Sequence, residues 1–265
     1  MKALLALLLT ALPAMSGPIA PADLAGAVQG ADVVVLGEVH DNPAHHAHQA
    51  QAVAALRPAA LVFEMLTPDQ AARVTPEVRT DAVALEAALG WVAAGWPDFA
   101  MYHPIFLAAP GAVVHGAALP RDQVRQAVRD GAAAVFGADA AAYGLDRALP
   151  PEDLAARIAL QDAAHCGKLP AALLPGMVEA QRLRDAALAR AVVQAMAKTG
   201  GPVAVITGTG HARRDQGVPA ALALAAPGLR VLAVGQLEAD PGPDAPFDLW
   251  IVSPAPPRGD PCAAL

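Results

Sequence analysis

The sequence predicts an α/β fold: a mainly parallel sheet flanked by helices and carrying a helical insertion. Three observations predict it. Short apolar, β-branched runs ending in glycine, such as residues 31–37 (ADVVVLG) and 202–208 (PVAVITG), have the composition of strands buried on both faces, which a parallel sheet covered by helices provides. Residues 31–65 then run strand, helix, strand, the pattern of a βαβ unit. Between about residues 120 and 199 the pattern changes to long alanine-rich helical segments.

Taken in order, residues 1–16 (MKALLALLLTALPAMS) combine one lysine, an apolar run from Ala3 to Leu12 and the small residues Ala14 and Ser16. That is the pattern of a secretory signal cut near Ser16. Residues 17–265 are expected to form a single domain, since 265 residues with 55% hydrophobic content are ample for one sizeable core. After the first strand, Pro43 opens a helix to about Leu56, with Asp41 read as its N-cap. Residues 60–65 (ALVFEM) form the second strand and residues 111–117 (GAVVHGA) another. The helical stretch over about 120–199, clearest at 176–198, reads as an insertion over one edge of the sheet. Residues 202–208 and 229–235 (LRVLAVG) are further strands. The tail from about residue 240 is rich in proline, with residues 247–252 placed to add one edge strand.

No run after the signal offers about 20 apolar residues free of charge, Gly and Pro. No cysteine directly follows the signal's apolar run, so a lipid-anchored form is not expected. The expectation is therefore an exported, periplasmic protein that is soluble after cleavage. A formal net charge of −7 and the lack of basic runs interleaved with aromatics exclude nucleic acid as a partner. The two cysteines, Cys166 and Cys262, either pair in an oxidising compartment, closing a long loop worth up to about 4–5 kcal/mol, or remain as two thiols, one buried and one on the tail.

Ligands of open α/β sheets bind beyond the carboxyl ends of the parallel strands. Glu38 and His40 fall just past the first strand, Glu64 at the end of the second, and His211 just past residues 202–208. Two carboxylates and two imidazoles suit a divalent metal. Taken singly, each also reads as a loop hydrogen-bonding group, so the argument rests on three strand ends agreeing. In LGEVHDNPAHHAHQ (36–49), His45 and His48 share a helical face while His46 points elsewhere, so His45 or His48 is the one expected over the cleft. GTGHARRD (208–215) lacks the G-x-G-x-x-G and P-loop patterns, and the chain has neither H-E-x-x-H nor G-x-S-x-G. Nucleotide-loop, zincin and serine-hydrolase readings are thereby set aside.

The pieces VVLGEVHDNPAHH, LVFEML, WPDFAMYHPIF, AALPR, HCGKLPAALLPGMVEAQRLRDAALA and VITGTGHARRDQGVPAAL, in this order from Val33 to Leu222, resemble the ChaN-like haem-binding uptake family. Its superfamily also holds the Tiki metalloproteases and erythromycin-esterase-like proteins. The resemblance implies an exported or outer-membrane-associated protein of haem-iron acquisition, with haem as cofactor and outer-membrane iron-uptake components as partners. It also implies a homodimer, with haem stacked between two protomers and a tyrosine on the iron. The tyrosines after the signal are Tyr102 and Tyr143, and because histidine also holds haem iron, His45, His103 and His165 stand beside them as candidates. The Tiki-like members imply a metal site on two G-x-x-H motifs and an acid. In this sequence those are residues 37–40 and 208–211 with Glu64, and Glu38 lies inside the first motif. Two function classes follow, a haem-binding protein and a metal-dependent hydrolase.

Overall fold

The computed structural model describes residues 16–260 and 262–263, so the signal reading lies outside the described residues except at Ser16. Seven strands among them form one sheet: β1 (Gly17–Pro18), β2 (Val33–Glu38), β3 (Ala60–Phe63), β4 (Val113–Gly116), β5 (Val203–Gly208), β6 (Val231–Leu237) and β7 (Leu249–Val252). Their order is β1-β7-β6-β2-β5-β3-β4, and every pairing is parallel. The α/β class expected from the glycine-terminated runs is the class observed.

Alternation along each strand sends side chains to two cores. Val34 and Leu36 of β2, Leu61 and Phe63 of β3, and Ala204 and Ile206 of β5 face one of them. That core is covered by α1 (Leu24–Ala27), α2 (Pro43–Leu56), and the run α3 (Pro68–Ala71), α4 (Pro76–Arg79), α5 (Ala82–Leu89), α6 (Trp91–Ala94) and α7 (Phe99–Ala108). Phe63 stacks on Phe106 with ring centroids 4.5 Å apart. Val33, Val35, Val62, Val203 and Val205 face the other way, against Leu188, Ala189 and Val192 of α11 (Leu174–Thr199) and Val218 and Leu222 of α12 (Val218–Ala225). Full burial of such side chains contributes about 1.5–3 kcal/mol each, so strands apolar on both faces need both layers.

The stretch 120–199 is not wholly an insertion over an edge. It holds α8 (Arg121–Asp130), α9 (Ala132–Phe136), α10 (Pro151–Ala164) and α11. Of these, α11 is the crossover between β4 and β5 and packs on the face of the sheet, because its apolar positions meet the valines of β2, β3 and β5. α8 and α9 lie outside it over a smaller core of Ala127, Phe136 and Leu183. Two smaller expectations also shift. β7 is flanked by the two-residue β1, so it is next to the edge. The N-cap of α2 is Asn42, whose side chain accepts from Ala44 N, while Asp41 pairs with Arg258 at 2.8 Å.

Cys166 and Cys262 are joined, with Cα atoms 5.8 Å apart and a sequence separation of 96. Closing so long a loop stabilises by about 4–5 kcal/mol in the chain-entropy account. Among the described residues, no helix is long and apolar enough to cross a membrane.

Candidate functional site

β5 lies between β2 and β3, and this topology gathers the polar motifs. Glu38 is in register with Gly208, and Phe63 with Ile206, which sets Glu64 beside the end of β5. Both G-x-x-H motifs begin at a glycine where space is tight, against backbone at Gly37 and against the His40 and Glu64 side chains at Gly208. A Cβ on Gly37 would lie 2.9 Å from Thr209 Cα and 3.1 Å from Ala212 Cβ; one on Gly208 would lie 3.1 Å from His40 Nε2 and 3.6 Å from Glu64 Oε2. His40 and Glu64 therefore border the same glycine.

Glu38, buried at the end of β2, is the hub of one half of the site. Its Oε1 accepts from His40 Nδ1 at 2.7 Å and from the Tyr102 hydroxyl at 2.7 Å; its Oε2 accepts from Gln49 Nε2 at 2.7 Å. His46 Nδ1 stands 3.4 Å from Oε2, and His46 Nε2 lies 2.9 Å from the His40 carbonyl oxygen. His46 and Gln49, three apart on α2, thus face the strand end. Expecting His45 or His48 there was wrong: His45 Nδ1 accepts from Val39 N at 2.9 Å inside the fold, and His48 meets Gln236 at 2.9 Å. Helix phase decides this: from its start at Pro43, α2 turns His46 and Gln49 to the end of β2.

The other half is built on Glu64 and His211. Glu64 Oε2 accepts from Thr207 Oγ1 and from Gly208 N, each at 2.7 Å, which leaves Oε1 toward His211 Nε2 at 3.4 Å. His211 Nδ1 is 2.6 Å from Asp185 Oδ1 and 3.0 Å from the Gln181 amide nitrogen. Asp185 and Gln181 were missed from sequence. Their signal is a pair of polar residues four apart on a helix whose other inward positions, Arg182 excepted, are apolar.

Burial disfavours charge on His211, yet the carboxylates of Glu64 and Asp185 outweigh it and raise the imidazole to about 10. Burial pulls on Glu64 in the opposite sense from the charges of His211 and His40, which prevail and hold it well below the usual carboxylate range. His40 is raised despite burial, through its bond to Glu38 and the charge of Glu64. Tyr102 is fully buried and donates to Glu38, and burial together with that carboxylate pushes its phenol far up.

The four residues read as metal ligands do converge, as two charge-paired halves on either side of Gly208. Among the described residues no three His, Cys, Asp or Glu donors are gathered as they would be around an ion. The donor chemistry nevertheless fits one. Each histidine has Nδ1 held by a carboxylate, Glu38 for His40 and Asp185 for His211, the arrangement that fixes a metal-binding imidazole and presents Nε2. A cleft of about 620 Å³ opens above Glu64, lined also by Trp96, Arg121 and Arg184.

The residues named for haem scatter. Tyr102 is sealed in the Glu38 network and His45 in the core. His103 is 2.9 Å from the Arg79 carbonyl oxygen. Tyr143 is half-buried, edge-on to Phe136 at 5.1 Å, and burial raises its phenol. His165, half-buried at the end of α10, donates from Nδ1 to the Gln161 carbonyl at 2.8 Å. It lines a second pocket of about 620 Å³, walled by Leu160, Met177, Val178 and Phe247 with Arg157, Arg184 and Arg213 around it.

Comparison with known proteins agrees with this architecture. The chain is similar to a solved structure titled "Cofacial heme binding to ChaN of Campylobacter jejuni", at 18% identity over 87% of this chain and 91% of that one, with a TM-score of 0.65. It is also similar to "The structure of the type III effector HopBA1", at 16% identity over 89% and 94% of the two chains, with a TM-score of 0.47. No curated protein matches. The family described as "Haem-binding uptake, Tiki superfamily, ChaN" matches residues 24–222. Most of the described fold, including both G-x-x-H motifs, Glu64 and Asp185, falls within that match, and the chain belongs to this family.

Proposed function

We propose that this protein is an exported haem-binding protein serving haem-iron acquisition, and that it holds haem in the pocket beside α10. The observation that carries this reading is the pocket's make-up. At about 620 Å³ it has the size of a small-molecule site. Its apolar walls suit a porphyrin face, and Arg157, Arg184 and Arg213 suit two propionates. His165, with Nδ1 committed to a carbonyl, keeps Nε2 for iron. The similar ChaN of Campylobacter jejuni binds haem cofacially; carried over, the second haem face would meet a second copy of this chain, and outer-membrane uptake components would receive the ligand. Titrating hemin into the purified protein should give a Soret shift that saturates at a fixed stoichiometry. His165→Ala should remove the shift and Tyr102→Phe should keep it; a spectrum that stays that of free hemin refutes the reading.

A second reading is favoured by the two carboxylate-held imidazoles: a metal-dependent hydrolase. His40 Nε2, His211 Nε2 and Glu64 Oε1 would hold a divalent ion, which when bound supplies a water of lowered pKa and polarises a carbonyl. Glu38 and Asp185 orient the two rings. His211 must give up its proton before it can ligate, so uptake should release a proton and strengthen with pH. Metal content after exhaustive dialysis, compared with a His40→Ala/His211→Ala variant, tests it; equal content in both counts against it.

A further inference from the structure

Helix α10 is bound to the protein in an unusual way. None of its residues is fully buried, and its packing is against α11. The residues it turns to the His165 pocket, Arg157, Leu160, Gln161, Ala164 and His165, follow the spacing of a single helical face. Leu160 remains 40% exposed on that face. The helix is entered through Pro150 and Pro151, and it ends where Cys166 and Gly167 take left-handed φ of 57° and 65°. Turns bound the helix at both ends, and none of its residues belongs to the hydrophobic cores.

The wall across the pocket is fixed. Ala245 and Phe247 belong to the core packed on the sheet. Further along the tail, the Pro254 carbonyl accepts from Asn42 Nδ2 at 3.0 Å, and Arg258 pairs with Asp41 and Glu238. Cys262 continues that anchored tail, and its partner Cys166 sits one residue beyond His165. The Cys262 carbonyl also accepts from Lys168 Nζ. The disulfide thus ties the end of the loosely packed helix to the tail, four residues beyond the anchored Arg258.

We propose that α10 is a lid over this pocket, latched by the Cys166–Cys262 disulfide and released by reduction with a dithiol. Only the identity of the enclosed ligand rests on the haem reading. In the release step, one thiolate of the dithiol attacks a cystine sulfur. The S–S bond breaks, and its electron pair leaves on the other cysteine, which takes up a proton. The second thiol of the reductant, losing its proton, then displaces the remaining cysteine from the mixed disulfide, and that cysteine is protonated in turn. The cystine gains two electrons and two protons, and the dithiol becomes its own disulfide. Both cysteines are half-buried rather than enclosed, so attack needs no prior unfolding.

Hydrogen exchange followed by mass spectrometry on the full chain tests this in three forms: oxidised, reduced with dithiothreitol, and as Cys166→Ser/Cys262→Ser. Exchange over 151–165 should be at least tenfold faster in the last two forms, with 176–198 and 203–208 unchanged. Anilinonaphthalene sulfonate, an apolar anion of the class the pocket suits, should leave at least tenfold faster. Unchanged exchange over 151–165 overturns the latch, and so does an equal rise across the sheet, which would make the bond a staple of the whole fold. Hemin that binds neither form refutes the haem reading, while the exchange pattern still decides the lid.

Discussion

Asp185→Asn is the most informative single change, because it removes one charge and nearly nothing else. Asn keeps an oxygen that can accept from His211 Nδ1, where Asp185 now stands at 2.6 Å. Moving an imidazole from its ordinary 6.5 to about 10 corresponds to about 5 kcal/mol of preference for the charged ring at 1.36 kcal/mol per pH unit. Glu64 and Asp185 share that work against the cost of burial, and burial also raises the Asp185 carboxyl itself, which offsets part of the gain; losing Asp185 should therefore cost about 3 kcal/mol, the low end for breaking a buried pair. The folded pKa lies above the unfolded one. The contribution is therefore fully present below pH 6.5 and fades as pH rises to about 10. Urea unfolding followed by tryptophan fluorescence should show the loss at pH 7 and a shrinking difference from wild type as pH approaches 10. A variant within about 0.5 kcal/mol of wild type at pH 7, the scale of an exposed substitution, would refute the reasoning, as would a difference that ignores pH.

The other expectations are briefer. Gly208→Ala has an ordinary φ of −60°, but its Cβ would press on His40 Nε2 at 3.1 Å; the fold should survive while cobalt or zinc affinity, read by equilibrium dialysis, drops more than tenfold. Unchanged affinity would remove His40 as a ligand. Arg79→Ala strips the carbonyls of Ala109, Pro110 and Ala112 of a donor at 2.6–2.7 Å and should cost about 3 kcal/mol in denaturant unfolding. His45 is held down at about 4, first by burial, so stability should fall by about 3 kcal/mol as pH drops from 6.5 to 4, and the ring should titrate by NMR near 4; a midpoint near 6.5 contradicts its placement.

The strands were legible because each is a short run apolar on both faces and closed by glycine, and residues 43–56 were legible because proline opens the helix. α11 was misplaced for a physical reason: an alanine-rich helix has a weak apolar stripe, so its period did not reveal that Leu188 and Val192 meet the sheet. The strand-end rule selected Glu38, His40, Glu64 and His211 without knowledge of strand order, because C-terminal ends of parallel strands lie on one side whatever their order. It could not select Asp185 or Gln181, which reach the site from the middle of α11. Nor could it say which of His45, His46 and His48 faces Glu38, since that turns on a helical phase set by one capping residue.

The two functional readings meet on α11. Gln181 and Asp185 both contact His211, and both line the pocket beside α10, as do Thr209 and Gly210 from the turn that carries His211. Arg184, between them in sequence, borders that pocket and the cleft over Glu64. One helical turn thus separates the two cavities and supplies groups to each. A ligand that draws Asp185 toward Arg157 would weaken the hold on His211 Nδ1, and an ion taking His211 Nε2 would shift the charge facing the pocket. Linkage requires the two effects to be equal in free energy. The Asp185 carboxylate borders the pocket beside α10 and holds His211 Nδ1, so under the two proposed readings a ligand in that pocket and an ion on His211 should each alter the other's affinity.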